Sequence, residues 1–141
     1  MLRFQFADIQ KLAAVNQICI DEREVREILR VTCGWTIGVH ALLEEYGAVR
    51  TLNPDLQLYP LFDVYIYRQL NQAQRQSLAV LSVPEHFNIQ LIEALCVDTG
   101  IMKILTWMMN FHWFVQVDRT TRLFTYSPVF REFLYDKFPY V

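Results

Sequence analysis

The chain has 141 residues, with 13 Lys and Arg against 15 Asp and Glu, for a formal net charge of −2. A composition of 53% hydrophobic and 14% aromatic residues is ample for a core and excludes a disordered chain. The charge weighs against a nucleic-acid binder, which needs a basic surface to neutralise phosphates. The longest uncharged apolar-rich run, Ile104 to Val117, contains Asn110, His112 and Gln116 and is too short to cross a bilayer. Met1 to Phe6 lacks a signal-peptide apolar region. Cys19, Cys33 and Cys96 are odd in number and form no CxxC, so they read as reduced thiols of a cytoplasmic protein. The apolar content is high for so short a chain. It implies either an aromatic-rich core or exposed surface meant for neighbouring domains or a homodimer.

Leu2, Phe4 and Phe6 alternate with Arg3 and Gln5, which predicts a short extended start. Ala7 to Val15 then puts Ile9, Leu12 and Ala13 on one helical face. Asp21, with Glu24 three residues on, is a capping-box start for a helix with Val25, Ile28 and Leu29 inward, stopped at Gly34. Thr36 to Tyr46 reads as the next helix, with Ile37, His40, Ala41, Leu42 and Leu43 inward and Gly47 ending it. Residues Ala48 to Leu58 lose periodicity and gather Thr51, Asn53, Pro54 and Asp55, the best linker in the chain. Two units are therefore expected, 1–50 and 51–141.

The second unit opens on Leu58 to Leu70, so apolar that it should be buried on more than one side. Asn71 and Gln74 form a second capping box, for a helix through Leu78, Val80, Leu81 and Val83 that Pro84 stops. Asn88 caps a short helix with Ile89, Ile92, Leu95 and Cys96 inward, and Asp98-Thr99-Gly100 turns into another. In that next helix Ile101, Ile104, Leu105, Met108 and Met109 recur at helical spacing. Trp113, Val115 and Val117 then alternate with Phe114, Gln116 and Asp118, and a polar turn through Arg122 leads to the strand formers Leu123 to Tyr126. Ser127 as N-cap and Pro128 at the first helical position start a last helix through Phe138. The fold class is mostly α with a β-hairpin, and the order helix, helix, helix, wing, helix is that of a winged-helix domain.

Chemistry is sparse. His40, His86 and His112 lie at no metal-ligand spacing, so no metal site and no catalytic residue is expected. The glycines, Gly34, Gly38, Gly47 and Gly100, form neither GxxxxGK[ST] nor GxGxxG, so this chain cannot cradle a triphosphate in the usual way. A DNA reader would need outward Arg, Lys, Asn or Gln on the third helix, which offers Lys103, Thr106 and Asn110 among apolar neighbours. Arg119 and Arg122 on the wing turn could touch phosphates, and Arg131 and Lys137 could be gathered beside them. Under a DNA-binding alternative the contacts would be Lys103, Arg119 and Arg122. Packing and docking is the better reading of that helix, with no direct DNA binding and no membrane association.

Several phrases together resemble a known family. Leu2-Arg3-Phe4, the helix to Val15, Asp21 to Cys33, and Gly34-Trp35-Thr36-Ile37-Gly38-Val39 resemble the helical lid that closes the ATPase module of MalT-type, LuxR-family regulators. Leu61 to Leu70, Gln74 to Leu78, Leu81-Ser82-Val83, Asn110-Phe111, Phe114-Val115, Tyr126 and Phe130 to Leu134 resemble the winged-helix ending of that module. The resemblance implies a small helical lid followed by a winged-helix domain, in a signal-transduction ATPase that regulates transcription. It implies a P-loop domain before this segment as intramolecular partner, helical repeats and a helix-turn-helix after it, and ATP or ADP held by the parent rather than by this chain. It also puts Gly34, Trp35, Thr36 and Ser127 near the nucleotide. Thr36 stands where the family usually has proline, and Ser127 where it often has histidine; a hydroxyl donates one hydrogen bond but supplies no imidazolium.

Overall fold

Residues 3–95, 100–111 and 114–137 are described by the computed structural model. Expectations for Leu2, Cys96, Asp98, Thr99, His112, Trp113 and Phe138 fall outside them. The described residues form eight α-helices, one 3-10 turn and a two-stranded antiparallel hairpin, so the protein is mostly α with a β-hairpin. Two compact units cover Met1–Leu61 and Phe62–Val141.

In the first unit α1 spans Phe6–Val15, α2 Glu22–Thr32 and α3 Thr36–Val49. The Asp21 carboxylate accepts the Glu24 N–H at 3.0 Å and starts α2. Val25, Ile28, Val31 and Thr32 form its buried face, while Arg26–Glu22 and Arg30–Glu27 ion pairs run along the solvent face. Such exposed pairs add only about 0.3–0.5 kcal/mol each, so the buried stripe holds the helix in place. The helix ends one residue before the glycine the sequence marks, at left-handed Cys33 (φ 53°), and Gly34 follows at φ 79°. Gly47 does not stop α3, which runs on to Val49 and ends on left-handed Arg50, whose guanidinium lies 4.6 Å from the Tyr46 ring centroid. Gly47 serves packing instead: a Cβ there would lie 3.2 Å from Ile18. His40, expected inward, is exposed, with its ring 5.9 Å from that of Phe4.

The stretch expected to be a linker is half helix. Asn53 accepts the Leu56 N–H at 3.4 Å, and α4 runs Pro54–Tyr65, with proline at its first position. The division between the units falls inside α4, because Leu58 and Phe62 are both fully buried and each belongs to a different core.

In the second unit a 3-10 turn, Tyr67–Gln69, precedes α5 (Gln72–Leu81), α6 (Ile89–Leu95), α7 (Ile101–Phe111), β1 (Val115–Val117), β2 (Phe124–Tyr126) and α8 (Pro128–Lys137). The Asn71–Gln74 capping box forms in both directions, at 2.8 and 3.0 Å. At its other end α5 stops at Leu81, short of Val83 and Pro84, where Arg131 of α8 donates to the Ser82 and Val83 carbonyls at 2.8 and 2.9 Å. Asn88 caps α6 through the Leu91 N–H at 2.8 Å. Of the apolar positions expected inward on α6, Ile92 is buried but Ile89 and Leu95 are exposed. A seven-residue helix has too few turns to bury both sides of its stripe.

The strands pair Val115 with Tyr126, Gln116 with Thr125 and Val117 with Phe124. Phe87 extends this ladder, exchanging N–H···O bonds of 3.0 and 2.7 Å with Phe124. The core is aromatic. The Phe62 ring lies edge-on to Phe114, Phe130 and Phe133 at centroid distances of 4.9, 5.1 and 5.5 Å, a geometry favoured by the ring quadrupole. Phe62→Ala should therefore lower unfolding free energy by about 3–5 kcal/mol, read as a fall in the urea midpoint, while an exposed control, Leu56→Ala, should move it by less than about 0.5 kcal/mol.

Candidate functional site

The wing follows from one carboxylate. Asp118 Oδ1 accepts the N–H groups of Thr120 and Thr121 at 2.8 and 3.0 Å, while its own N–H donates to the Leu123 carbonyl at 2.9 Å. Arg122 closes the turn by donating its N–H to the Asp118 carbonyl at 2.7 Å, in the left-handed region at φ 59°. Hydrogen bonds from the Thr121 and then the Thr120 amide hold the Asp118 carboxyl below its ordinary pKa. The expected alternation holds only in part. Phe114 and Val115 are both buried and Val117 is exposed, because Phe114 precedes the strand and enters the aromatic core.

Arg119 and Arg122 come together at this turn. With Ile89, Val117, Asp118 and Phe124 they line an open groove of about 320 Å³. Neither arginine makes an ion pair among the described residues. Lys103 is exposed on α7 and is not part of the groove lining. On α7 Ile101, Leu105 and Met108 are buried, while Met102, Lys103, Thr106 and Asn110 face solvent. The Thr106 hydroxyl donates back to the Met102 carbonyl at 2.8 Å. The face available to a groove of DNA thus carries one cation and one amide. The other cations proposed for a phosphate surface are engaged elsewhere: Arg131 clamps the end of α5, and Lys137 Nζ lies 5.4 and 5.2 Å from the ring centroids of Tyr67 and Phe133.

Gly34, Trp35 and Thr36 lie in the first unit and Ser127 in the second. The Phe4 N–H donates to the Gly34 carbonyl at 2.8 Å, and the Gly34 N–H to Thr32 Oγ1 at 3.2 Å. A Cβ on Gly34 would collide with the Phe4 carbonyl oxygen, so the positive φ and the close approach both require glycine. Trp35 is 1% exposed, and Thr36 opens α3 half-buried. Ser127 joins β2 to α8: its N–H donates to the Phe114 carbonyl and its carbonyl accepts the Arg131 N–H, both at 2.9 Å. Its Oγ, expected to cap α8, is enclosed and has no hydrogen-bond partner among the described residues. Helix start there is set by Pro128, not by the serine hydroxyl.

One cluster is absent from the sequence reading. Tyr67 is buried, and the Arg75 guanidinium and Lys137 Nζ both lie against its ring, at 5.1 and 5.4 Å from the centroid. Arg75 also donates to the Tyr67 carbonyl at 3.0 Å. No motif announces it, because the three residues come from three separate elements. Burial, above all, raises the Tyr67 pKa.

Three helices, a hairpin and a closing helix, with Phe87 bridged to the second strand, define a winged-helix unit. The MalT winged helix domain family matches residues 64–140, more than half of the chain, and the protein belongs to it. No curated protein matches the chain. No helix among the described residues is long and apolar enough to cross a membrane.

Two outcomes follow from the wing and its junction. The folded Asp118 pKa lies below the unfolded value of 3.8, so its contribution is complete above that pH and disappears as the pH falls through the folded value. Carboxyl NMR should show Asp118 titrating below 3.8, with the Thr120 and Thr121 amide shifts following the same curve. Ser127→Ala should leave stability unchanged or raise it by up to about 1 kcal/mol, since it removes an unpaired buried hydroxyl. A working N-cap would instead lose about 0.5–2 kcal/mol in thermal melts.

Proposed function

We propose that this chain is the regulatory, non-catalytic part of a multidomain, LuxR-family transcriptional regulator. In this reading it couples the nucleotide state of an adjoining ATPase module to domain arrangement. The observation that carries the reading is α7. The helix that a DNA-reading winged domain places in the major groove presents Met102, Lys103, Thr106 and Asn110, a face poor in phosphate-neutralising charge. Membership of the MalT winged helix family supports the same reading. The parent would be cytoplasmic, with a P-loop domain holding ATP or ADP on one side of this segment and helical repeats on the other. Gly34, Trp35, Thr36 and Ser127 are the positions assigned to the nucleotide side. DNA would be contacted elsewhere in the parent.

The purified chain should hydrolyse no ATP, and it should bind duplex DNA more weakly than about 100 μM at physiological salt, the weak end of non-specific binding. Fluorescence anisotropy at several salt concentrations checks this, and micromolar binding with a steep salt slope would favour the DNA-reading alternative through Lys103, Arg119 and Arg122. For the coupling itself, limited proteolysis of the longer parent should give different cleavage around residues 48–53 with ADP and with ATP. Identical patterns would remove the nucleotide-coupling role.

A further inference from the structure

The wing groove is lined by two arginines and by the apolar residues Ile89, Val117 and Phe124. Asp118, the carboxylate in its lining, stays charged while accepting the Thr120 and Thr121 amides, and the two guanidinium groups of Arg119 and Arg122 against this one carboxylate leave the rim net positive. Ile89 and Val117 are about two-fifths exposed there, at 40% and 41%. A phosphate backbone could meet the arginines but would leave those side chains uncovered. The groove is complementary to an aromatic or aliphatic side chain flanked by carboxylates.

That chemistry occurs on the same chain. On α8, Glu132, Tyr135 and Asp136 are spaced by three and four residues and form one ridge. All three are exposed, Tyr135 by 53%, and none makes an ion pair among the described residues. The cations of α8 are directed to other tasks, Arg131 to the Ser82 and Val83 carbonyls and Lys137 to the Tyr67 and Phe133 rings. We propose that the wing groove receives the Glu132–Tyr135–Asp136 ridge of a second copy of this chain. Groove and ridge are different surfaces, so the contact is heterologous, and each pair keeps an unused ridge on one copy and an unused groove on the other. Association is then open-ended or ring-forming rather than a closed two-fold dimer. The proposal stands independently of nucleotide coupling.

Sedimentation of the full 141-residue chain over a range of concentrations tests it. The weight-average mass should climb past that of a dimer, and salt should oppose the climb. Arg119→Glu with Arg122→Glu, or Glu132→Lys with Asp136→Lys, should each weaken self-association about tenfold or more. Mixing the two double variants should restore assembly, because the reversed groove of one then faces the reversed ridge of the other while the native groove faces the native ridge. The chain carrying all four substitutions should regain it. Circular dichroism melts confirm that each variant is folded. A chain that stays monomeric at about millimolar concentration overturns the proposal. So does association that the reversals leave untouched or that the fourfold variant does not recover.

Discussion

The winged unit depends on the rings around Phe62. Phe62 comes from α4, Phe114 from the residue before β1, and Phe130 and Phe133 from successive turns of α8. Edge-on packing lets one ring touch three others, and burial of each large ring contributes more than any ion pair on this surface. Tyr126 extends the cluster: its ring lies 5.7 Å from Phe130 and 5.2 Å from Phe87, and its hydroxyl donates to the Leu78 carbonyl at 3.1 Å. That one side chain joins β2 to α5, α8 and the Phe87 bridge. The wing is thus anchored at its base by aromatic packing, while its tip is shaped by the hydrogen bonds of Asp118.

This division of labour decides what the charged residues can do. Arg131 ends α5, and Lys137 and Arg75 cover Tyr67. With those cations committed to the fold, the basic character left on the described surface of the wing is Arg119 and Arg122 at one groove, and Lys103 alone on α7. A sparse basic rim over apolar side chains suits a protein ligand better than a polyanion, because counterion release scales with the number of phosphates neutralised. The first unit follows a different plan. Gly34 permits the Phe4 backbone to pair with it, and the buried Trp35 seals the turn between α2 and α3.

Much of this architecture was legible in the chain alone, and for local reasons. Asp21 and the Asn71–Gln74 box mark helix starts because short polar side chains satisfy orphan N–H groups within three residues. The apolar spacing of α7 and the turn at Asp118 are equally local, and so the winged-helix order could be read directly. Helix ends were less legible. Gly34 does mark the end of α2, where Cys33 and Gly34 are both left-handed, but Gly47 lies inside α3, which runs on to left-handed Arg50. The serine before Pro128 looked like a cap, yet its hydroxyl is enclosed at the junction with Phe114.

The sequence by itself determined the element order, the capped helix starts at Asp21, Asn71 and Asn88 and the poverty of charge on α7, since these depend on neighbours within one or two turns. Only the tertiary structure decided which cations remain available and which apolar side chains stay exposed. Arg131 reaches carbonyls 48 and 49 residues away. Ile89 is brought to the wing turn, and Tyr67 to Arg75 and Lys137. Contacts between distant elements depend on how side chains of several helices fill one space, and no periodicity along a single segment encodes that.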